Sequence, residues 1–292
     1  MDAMYPKVSV VLVCYNRGQF LTNTLDSILG QTFKNFELIV SDDCSTDDTP
    51  QVALAYSKKD QRIRYRRNER NLGMPGNLIA GMLEASGEYI ANLHDGDIYH
   101  PQLLEKWSKA LDAHPNAAFV FNAYGCLDAE GNTERIFREN LPECFPGSIL
   151  LEQIYFKRWN FSSAVFGTVM ARKKAYENVG TFDRRFGFYS DVDMWLRMAE
   201  NFEVCYVPEP LISLPSKKVM PNLFDNKVGK ALQASERMFL DARLRHWRDK
   251  PVRLICELLR HYSFLLTHRS WQMALALRRT LRRNSIARHL IP

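Results

Sequence analysis

Short apolar segments alternate with amphipathic segments along the first part of the chain. Segment 7–15 is a run of apolar and β-branched residues, which is typical of a buried strand. In segment 19–31 the apolar residues recur at intervals of three and four, which is the spacing of one helix face. The two patterns then repeat in turn. They predict strands at 7–15, 36–42, 63–68, 88–93 and 117–124, and helices at 19–31, 47–59, 76–86 and 101–115.

This alternation predicts βαβ units, and therefore an α/β fold with a mostly parallel central sheet. Ligands of such sheets bind beyond the carboxyl ends of the strands. The loops after residues 15, 41 and 93, which read YNRG, DDCSTDD and HDGD, are therefore expected to lie together on one rim of the sheet.

The pattern changes in the rest of the chain. Segment 125–165 contains several Pro and Gly residues and is predicted to form loops. Residues 228–292 have helical periodicity throughout. Between these regions we expect a strand and a helix within 164–180, a loop entering a helix within 182–201, and one or two short strands within 203–214.

The net charge of +6 is distributed unevenly along the 292 residues. Residues 1–220 contain 24 Lys and Arg against 28 Asp and Glu, which gives a net charge of −4. Residues 221–292 contain 15 against 5, which gives +10. A basic C-terminal region predicts an anionic partner: a membrane surface, a nucleic acid or a phosphorylated substrate.

The cysteines and the apolar runs bear on the cellular compartment. The six cysteines are scattered and include no CxxC pair, which favours reduced thiols over a disulfide framework or a zinc site. The sequence has no run of about 18 apolar residues and therefore predicts no membrane-spanning helix. The apolar start is interpreted as a first strand and not as a signal peptide. We therefore expect a cytoplasmic protein.

Six acidic side chains gather in the loops of the expected rim, and two of them form a candidate metal site. Asp47 and Asp48 precede a predicted helix and are interpreted as turn or capping residues. Asp95 and Asp97 fit that interpretation less well, because Tyr99–Pro101 can begin the next helix without them. Mg²⁺ and Mn²⁺ prefer oxygen ligands and often bind one or two carboxylates together with substrate phosphates. The rim acids are Asp42, Asp43, Asp47, Asp48, Asp95 and Asp97.

Four motifs, in this order and spacing, resemble the family-2 glycosyltransferases. They are the segment 7–49, NLGMPGN at 71–77, GEYIANLHDGDIYHP at 87–101, and VGTFDRRFGFYSDVDMWLRM at 179–198. The resemblance implies a GT-A fold, a Rossmann-like sandwich with a mostly parallel sheet. It implies a glycosyltransferase domain with a nucleotide-sugar half and an acceptor half, followed by a basic helical extension. These regions are 1–110, 111–215 and 216–292.

The resemblance also implies an inverting transfer of a sugar from a nucleotide diphosphate to a hydroxyl. Asp191 matches the catalytic base, which takes the proton of the acceptor hydroxyl. Asp95 and Asp97 match the segment that contacts ribose and a divalent metal, Mn²⁺ or Mg²⁺. Tyr15 matches the aromatic residue that packs on the nucleotide base, and Asp43 the acid that binds the base. Further expected contacts to the nucleotide sugar are Asn16, Arg17, Asp42, Asn77, Asp95 and Lys217.

Three positions depart from the family's pattern. Gly96 stands where a metal-binding Asp often stands, so His94 is either a metal ligand or a structural or ribose-side residue. Gly76 stands where many members have Arg, so an arginine on the phosphate side is missing. A histidine near the diphosphate is also missing; Lys217 or Lys218 would supply its charge, or else both are solvated.

Other interpretations remain open. The motifs of dinucleotide-binding dehydrogenases, P-loop kinases and serine hydrolases are absent. Gly96 leaves open a catalytically inactive binding module, and the basic tail leaves open a nucleic-acid binder, although the rim acids would repel phosphates. Asp191 also suits the N-cap of a helix that begins at Val192.

The resemblance implies a UDP-sugar donor and a glycan or lipid-linked acceptor in bacterial cell-surface polysaccharide or lipopolysaccharide synthesis. We expect no nucleic-acid partner. Arg278, Arg279, Arg282 and Arg283 share one helix face, which would lie on anionic membrane at the inner face of the cell membrane. The alternative is that this region packs on the catalytic domain or on a second subunit, which leaves a homo-oligomer open.

Overall fold

In the computed structural model, residues 5–156 and 168–215, together with Met238, are described. They belong to one compact unit, Met1–Met238. Their strands are β1 (Val8–Cys14), β2 (Phe36–Asp42), β3 (Ile63–Arg67), β4 (Tyr89–His94), β5 (Ile98–Tyr99), β6 (Ala117–Leu127), β7 (Thr133–Phe137), β8 (Cys144–Pro146), β9 (Val169–Arg172) and β10 (Glu203–Leu214). Their helices are α1 (Gly18–Leu29), α2 (Thr49–Lys59), α3 (Met74–Met82), α4 (Leu103–Ala113), α5 (Gly147–Phe156), α6 (Lys173–Val179) and α7 (Ser190–Ala199), with a 3₁₀ helix at Arg184–Tyr189.

The strands form one sheet in the order β3-β2-β1-β4-β9-β6-β10-β5, with β7 beside β6 and β8 beside β10. Strands β1, β2, β3 and β4 pair in parallel, as do β6 and β10. β9 runs the opposite way between β4 and β6. The predicted α/β fold with a mostly parallel sheet is confirmed.

Helices cover both faces of the sheet, which explains why its central strands are mainly apolar and buried along most of their length. On one face α1, α2 and α4 bury a stripe of apolar residues against β1 and its neighbours, with Leu25 and Trp107 fully buried. On the other face Trp195 of α7 packs 5.6 Å from Phe119 and 6.1 Å from Phe182, measured between ring centroids. Each such buried side chain contributes roughly 1.5–3 kcal/mol.

The prediction of loops for 125–165 is wrong in part. The structure has β7, β8 and α5 within that segment. β7 reads TERIF and is exposed along most of its length, so it lacks the apolar alternation that marks a half-buried strand. It pairs with β6 through a turn in which Asp128 Oδ1 accepts a hydrogen bond from Asn132 N at 2.8 Å.

The predictions for the C-terminal region fall outside the described residues. They concern the helices of 228–292, the basic face at 278–283, and Lys217 and Lys218. In the part of the chain that the structure describes, no helix is both long enough and apolar enough to cross a membrane.

Two cysteines face each other across the antiparallel pair of β8 and β10. Cys144 is directly opposite Cys205. Tyr206 N donates a hydrogen bond to Glu143 O at 2.8 Å, which makes the cysteines a non-hydrogen-bonded pair, the kind in which side chains come closest. Both thiols are free of disulfide; Cys144 Sγ donates to Glu203 Oε2 at 3.8 Å, and Cys205 Sγ donates to Ala110 O at 3.7 Å.

Glu37 on β2 is a carboxylate with several hydrogen-bond donors. It accepts hydrogen bonds from Ser9 Oγ at 2.6 Å and Ser86 N at 2.8 Å, and Arg64 Nη2 lies 2.7 Å from its Oε2. Burial alone would raise the pKa of Glu37, but these hydrogen bonds and the Arg64 charge outweigh burial and lower the pKa from its usual 4.5. The stability that this carboxylate contributes is therefore present above pH 4.5 and is lost as the pH falls through the lowered pKa.

Replacing Glu37 with Gln is expected to lower the free energy of unfolding at pH 7 by roughly 1–3 kcal/mol, because hydrogen bonds to a charged group are lost. Urea unfolding at pH 7 and at about pH 3 would measure this, and the difference from the wild type should shrink at the lower pH. Glu134→Gln, on the exposed strand β7, is the control with the same change in charge. An equal loss at both pH values would contradict the assignment.

Candidate active site

The loops that follow β1, β2 and β4 lie side by side at one end of the sheet. The last parallel pairs join Cys14 to Asp42 and Val13 to His94. The loops YNRG, DDCSTDD and HDGD therefore leave the sheet together, at the carboxyl ends of three neighbouring strands. This is the rim that the sequence predicts.

Tyr15, Asn16 and Arg17 form the first loop of the rim. Tyr15 is 48% exposed, so its ring is open to solvent at the end of β1. Its backbone N donates to Asp95 Oδ2 at 3.4 Å, and Arg17 Nε lies 3.9 Å from the same oxygen. Asn16 Oδ1 accepts a hydrogen bond from Thr46 N at 2.8 Å. The first loop is therefore attached to both of the others.

Asp42 is fully buried and is bonded inside the protein. Its oxygens accept hydrogen bonds from Ser45 N at 2.9 Å and Tyr65 OH at 2.8 Å. Arg67 Nε lies 3.5 Å from Asp42 Oδ2. These contacts shape the loop after β2, and the hydrogen bond to Asp42, together with burial, raises the pKa of Tyr65.

Asp43 connects the second loop to the start of α3. Its Oδ1 accepts hydrogen bonds from Asn68 Nδ2 at 2.8 Å and Leu72 N at 2.7 Å, and its Oδ2 accepts one from Gly73 N at 2.9 Å. Gly73 has a φ of 76°, a conformation that favours glycine. Asp43 thus holds the first turn of α3 at the rim.

Asn77 of α3 is 2% exposed, and both ends of its amide are bonded inside the protein. Its Nδ2 donates to Ser41 O at 2.7 Å. Its Oδ1 accepts hydrogen bonds from Ser41 Oγ at 2.7 Å and Asn68 Nδ2 at 2.9 Å. The amide therefore joins α3 to β2.

Asp95 and Asp97 are close together in the third loop and largely buried, with Asp97 only 9% exposed. Burial raises the pKa of Asp95 to about 7 in spite of the nearby Arg17 charge. Burial and the charge of Asp95 raise the pKa of Asp97 well above its usual value. Ionised, two such acids repel each other, and a nearby cation removes that repulsion.

His94 and Gly96 set the backbone around this pair. His94 N donates to Tyr99 OH at 2.8 Å, and Tyr99 OH donates to His94 O at 2.9 Å. Burial lowers the pKa of His94 to about 4, so its imidazole is neutral at pH 7. Gly96 has a φ of 90°, and its N donates to Thr24 Oγ1 at 3.0 Å. This backbone conformation strains any residue with a side chain and so accounts for glycine at position 96.

Helix α7 has identifiable contacts at both of its ends. Its last residue, Ala199, lies against Gly147, where an added Cβ would be 2.1 Å from Ala199 O. At its other end, the 3₁₀ helix that leads into the first turn of α7 contacts α3 through the Arg184 guanidinium at Gly76. Because Asp43 of the rim accepts a hydrogen bond from Gly73 N at the start of α3, the segment before α7 contacts a helix that is attached to the rim.

Asp191 is in that first turn and is 6% exposed. Its Oδ1 accepts a hydrogen bond from Val192 N at 2.7 Å. The alternative prediction that Asp191 is the N-cap is wrong. α7 begins at Ser190 and not at Val192, and its N-cap is Tyr189. The neighbouring acid Asp193 is 1% exposed and forms an ion pair with Arg197 Nε at 2.8 Å, which marks it as structural.

Arg184 is a residue that the sequence analysis missed. The motif FDRRFGF shows two adjacent arginines and does not distinguish between them. In the structure the Arg184 guanidinium lies against the first turn of α3, at Gly76. The absence of a side chain at position 76 was the available signal, but it did not identify Arg184, whose Nη2 lies 3.8 Å from where a Cβ would be.

Comparisons with known proteins identify the family and agree with the fold. The family described as Glycosyl transferase family 2 matches residues 9–180. The Bacillus subtilis protein EpsE, named as a glycosyltransferase, is 33% identical over 199 residues, which is 67% of this chain and 68% of EpsE. A Campylobacter jejuni protein named GalNAc(5)-diNAcBac-PP-undecaprenol β-1,3-glucosyltransferase is 37% identical over 134 residues, 45% of this chain and 42% of its own.

Solved structures share the fold at low identity. The crystal structure of S. aureus TarS 1–349 in complex with UDP-GlcNAc has a TM-score of 0.67 and 20% identity, covering 88% of this chain and 73% of TarS 1–349. The mannosyltransferase PcManGT from Pyrobaculum calidifontis, in complex with GDP-Man and Mn²⁺, has a TM-score of 0.56 and 15% identity, covering 98% of this chain and 83% of its own. The likenesses confirm the expected GT-A fold.

Proposed function

The chain belongs to glycosyl transferase family 2, and from that membership we propose that it is an inverting, metal-dependent transferase with a nucleotide-diphosphate sugar as donor. Glycosyltransferase activity follows from the family; the donor, the metal and the catalytic base are the proposal. The observation that carries it is the buried pair Asp95 and Asp97, beside the exposed ring of Tyr15.

The first two loops of the rim are proposed to bind the nucleoside. The exposed Tyr15 ring offers an apolar face for the base. Asp43, which holds the turn before α3, has one lone-pair site left, on Oδ2, for a base edge beyond the three bonds it accepts. We favour UDP, because TarS, which has the higher TM-score of the two structures compared, is in complex with UDP-GlcNAc. Asn16, Arg17, Asp42, Asn77 and Lys217 stay predictions as donor contacts.

Asp95 and Asp97 fit a Mn²⁺ or Mg²⁺ ion. Carboxylate oxygens are the ligands that these hard cations prefer. Burial raises the pKa of both acids, and a bound cation would stabilise their ionised forms. Among the described residues no group of three or more His, Cys, Asp and Glu side chains could hold a metal. Two carboxylates together with substrate phosphates are a usual arrangement for such ions. When bound, the ion would stabilise the negative charge of the leaving nucleoside diphosphate.

Asp191 is proposed as the general base. Its carboxylate would accept the proton of the acceptor hydroxyl while that oxygen bonds to the anomeric carbon of the sugar. The bond from this carbon to the diphosphate breaks on the opposite face, and its electron pair leaves with the diphosphate. A single displacement inverts the configuration and needs no second nucleophile in the protein.

The acceptor is proposed to be a glycan or a lipid-linked sugar of a bacterial cell surface. The printed name of the Campylobacter relative, which describes a sugar chain on undecaprenyl diphosphate, supports this class. Contact of the basic tail with anionic membrane, and a homo-oligomer, stay predictions about residues outside the described ranges.

Titration calorimetry with UDP, GDP, CDP and dTDP, each with and without Mn²⁺, tests the donor site. We expect UDP to bind more tightly than the other three, and its affinity to fall at least about tenfold without Mn²⁺, because Asp95 and Asp97 would hold the ion and its charge would offset that of the diphosphate. The same titrations with Asp48→Asn, an exposed acid of the same rim, serve as the control. Absence of binding by all four diphosphates would favour an inactive member of the family.

A further inference from the structure

Arg184 lies between the two halves of the proposed site. It is exposed in the 3₁₀ helix before α7, seven residues ahead of Asp191. Its Nη2 and Cζ are 3.8 Å and 3.9 Å from the point where a Cβ on Gly76 would be. Gly76 is in the first turn of α3, which Asp43 holds at the rim through Leu72 N and Gly73 N. The guanidinium thus connects the acceptor side to the donor side.

The neighbouring arginine differs in its contacts. Arg185 donates to Asp183 Oδ2 at 2.9 Å from Nε and at 2.6 Å from Nη2, and its guanidinium is 5.2 Å from the Phe186 ring. For Arg184, no carboxylate lies within ion-pair distance in the described part of the chain. Among the described residues, therefore, no ion pair accounts for the position of the Arg184 guanidinium.

The Arg184 guanidinium lies over the backbone of α3 at Gly76. A Cβ there would be at ordinary contact distance from Arg184 Nη2, 3.8 Å, whereas it would be only 2.7 Å from Leu72 Cβ, so Leu72 is the neighbour that requires glycine at this position. Arg184 therefore contacts α3 through the backbone of Gly76, and its planar guanidinium carries five N–H donors.

We propose that Arg184 binds a phosphate oxygen of a substrate of the transferase, which rests on the function proposed above. Phosphate is the ligand for which the planar fork of an arginine is best suited, since it donates two parallel hydrogen bonds. Two substrates carry such a group: the nucleotide diphosphate of the donor, and the diphosphate of a lipid-linked acceptor.

Binding of UDP, uridine and farnesyl diphosphate, in the presence of Mn²⁺, tests the proposal on Arg184→Gln, with Arg185→Gln as the matched control. If Arg184 contacts the donor, Arg184→Gln is expected to lower the affinity for UDP roughly 10- to 100-fold. Its affinity for uridine should be unchanged, since uridine has no phosphate. If Arg184 contacts the acceptor, the variant is expected to lose affinity for farnesyl diphosphate by the same factor and to bind UDP as the wild type does. If the role of Arg184 were only structural, the affinities for UDP and uridine would change by the same factor. Thermal unfolding of both variants would show that they fold.

Two results overturn the proposal, and they differ. If the wild type binds UDP and both Arg184→Gln and Arg185→Gln bind UDP and farnesyl diphosphate as the wild type does, Arg184 is not a phosphate ligand and the proposed function stands. If the wild type binds neither UDP nor farnesyl diphosphate, the proposed function fails together with the role of Arg184.

Discussion

Asp191→Asn is expected to lower kcat by roughly 10²- to 10⁴-fold, the contribution of a positioned general base, and to change the affinity for UDP by less than about twofold. Asparagine has nearly the same shape and can still accept the bond from Val192 N, but it cannot take a proton. The loss should therefore appear in kcat and not in donor binding.

Steady-state transfer and calorimetry with UDP would measure the two quantities. Asp193→Asn is the contrast, because Asp193 is the buried partner of Arg197. Removing one partner of a buried pair costs stability, about 3–5 kcal/mol, so this variant should unfold more easily while its folded fraction keeps its kcat. A full kcat with Asp191→Asn would remove Asp191 from the mechanism.

Asp97→Asn is expected to abolish the Mn²⁺ dependence of UDP binding and to lower kcat/KM by at least roughly 100-fold, since a carboxylate ligand of the proposed ion is lost. In the metal-free protein the same change should cost little stability. Burial and the Asp95 charge disfavour the ionised form of Asp97, so a neutral isostere removes a repulsion and not an attraction.

Thermal unfolding of wild type and variant, with and without Mn²⁺ and UDP, would separate these effects. The wild type should gain stability from the ligands by mass action, and Asp97→Asn should not. Asp48→Asn, exposed on the same rim, should behave as the wild type does. If Asp97→Asn still binds UDP in an Mn²⁺-dependent manner, the metal ligands lie elsewhere.

The sequence predicts the central strands and the rim well, because both depend on local pattern. Strands buried on two faces are apolar throughout, and a parallel sheet brings the ends of β1, β2 and β4 together. The strand β7 was not predicted, since an exposed strand that pairs with a neighbour needs no apolar alternation.

The roles of individual polar residues depend on contacts between residues that are far apart in the sequence. Asp42 and Asp43 are adjacent in sequence, yet Asp42 is bonded to Ser45 and Tyr65 in its own surroundings while Asp43 holds the start of α3. The same holds for Arg184, which meets Gly76 across more than a hundred residues of chain. Such contacts are set by the folded sheet and the helices on it, so no local pattern in the sequence reports them.

The opposed thiols of Cys144 and Cys205 have a consequence for the stability of the part of the fold between them. A bond between them would close a loop of about 60 residues that contains α5, α6 and α7, and so the helix that carries Asp191. Closing a loop of that length removes about 4 kcal/mol of chain entropy from the unfolded state. The stability of the fold that positions α7 would then depend on the redox potential of the surroundings.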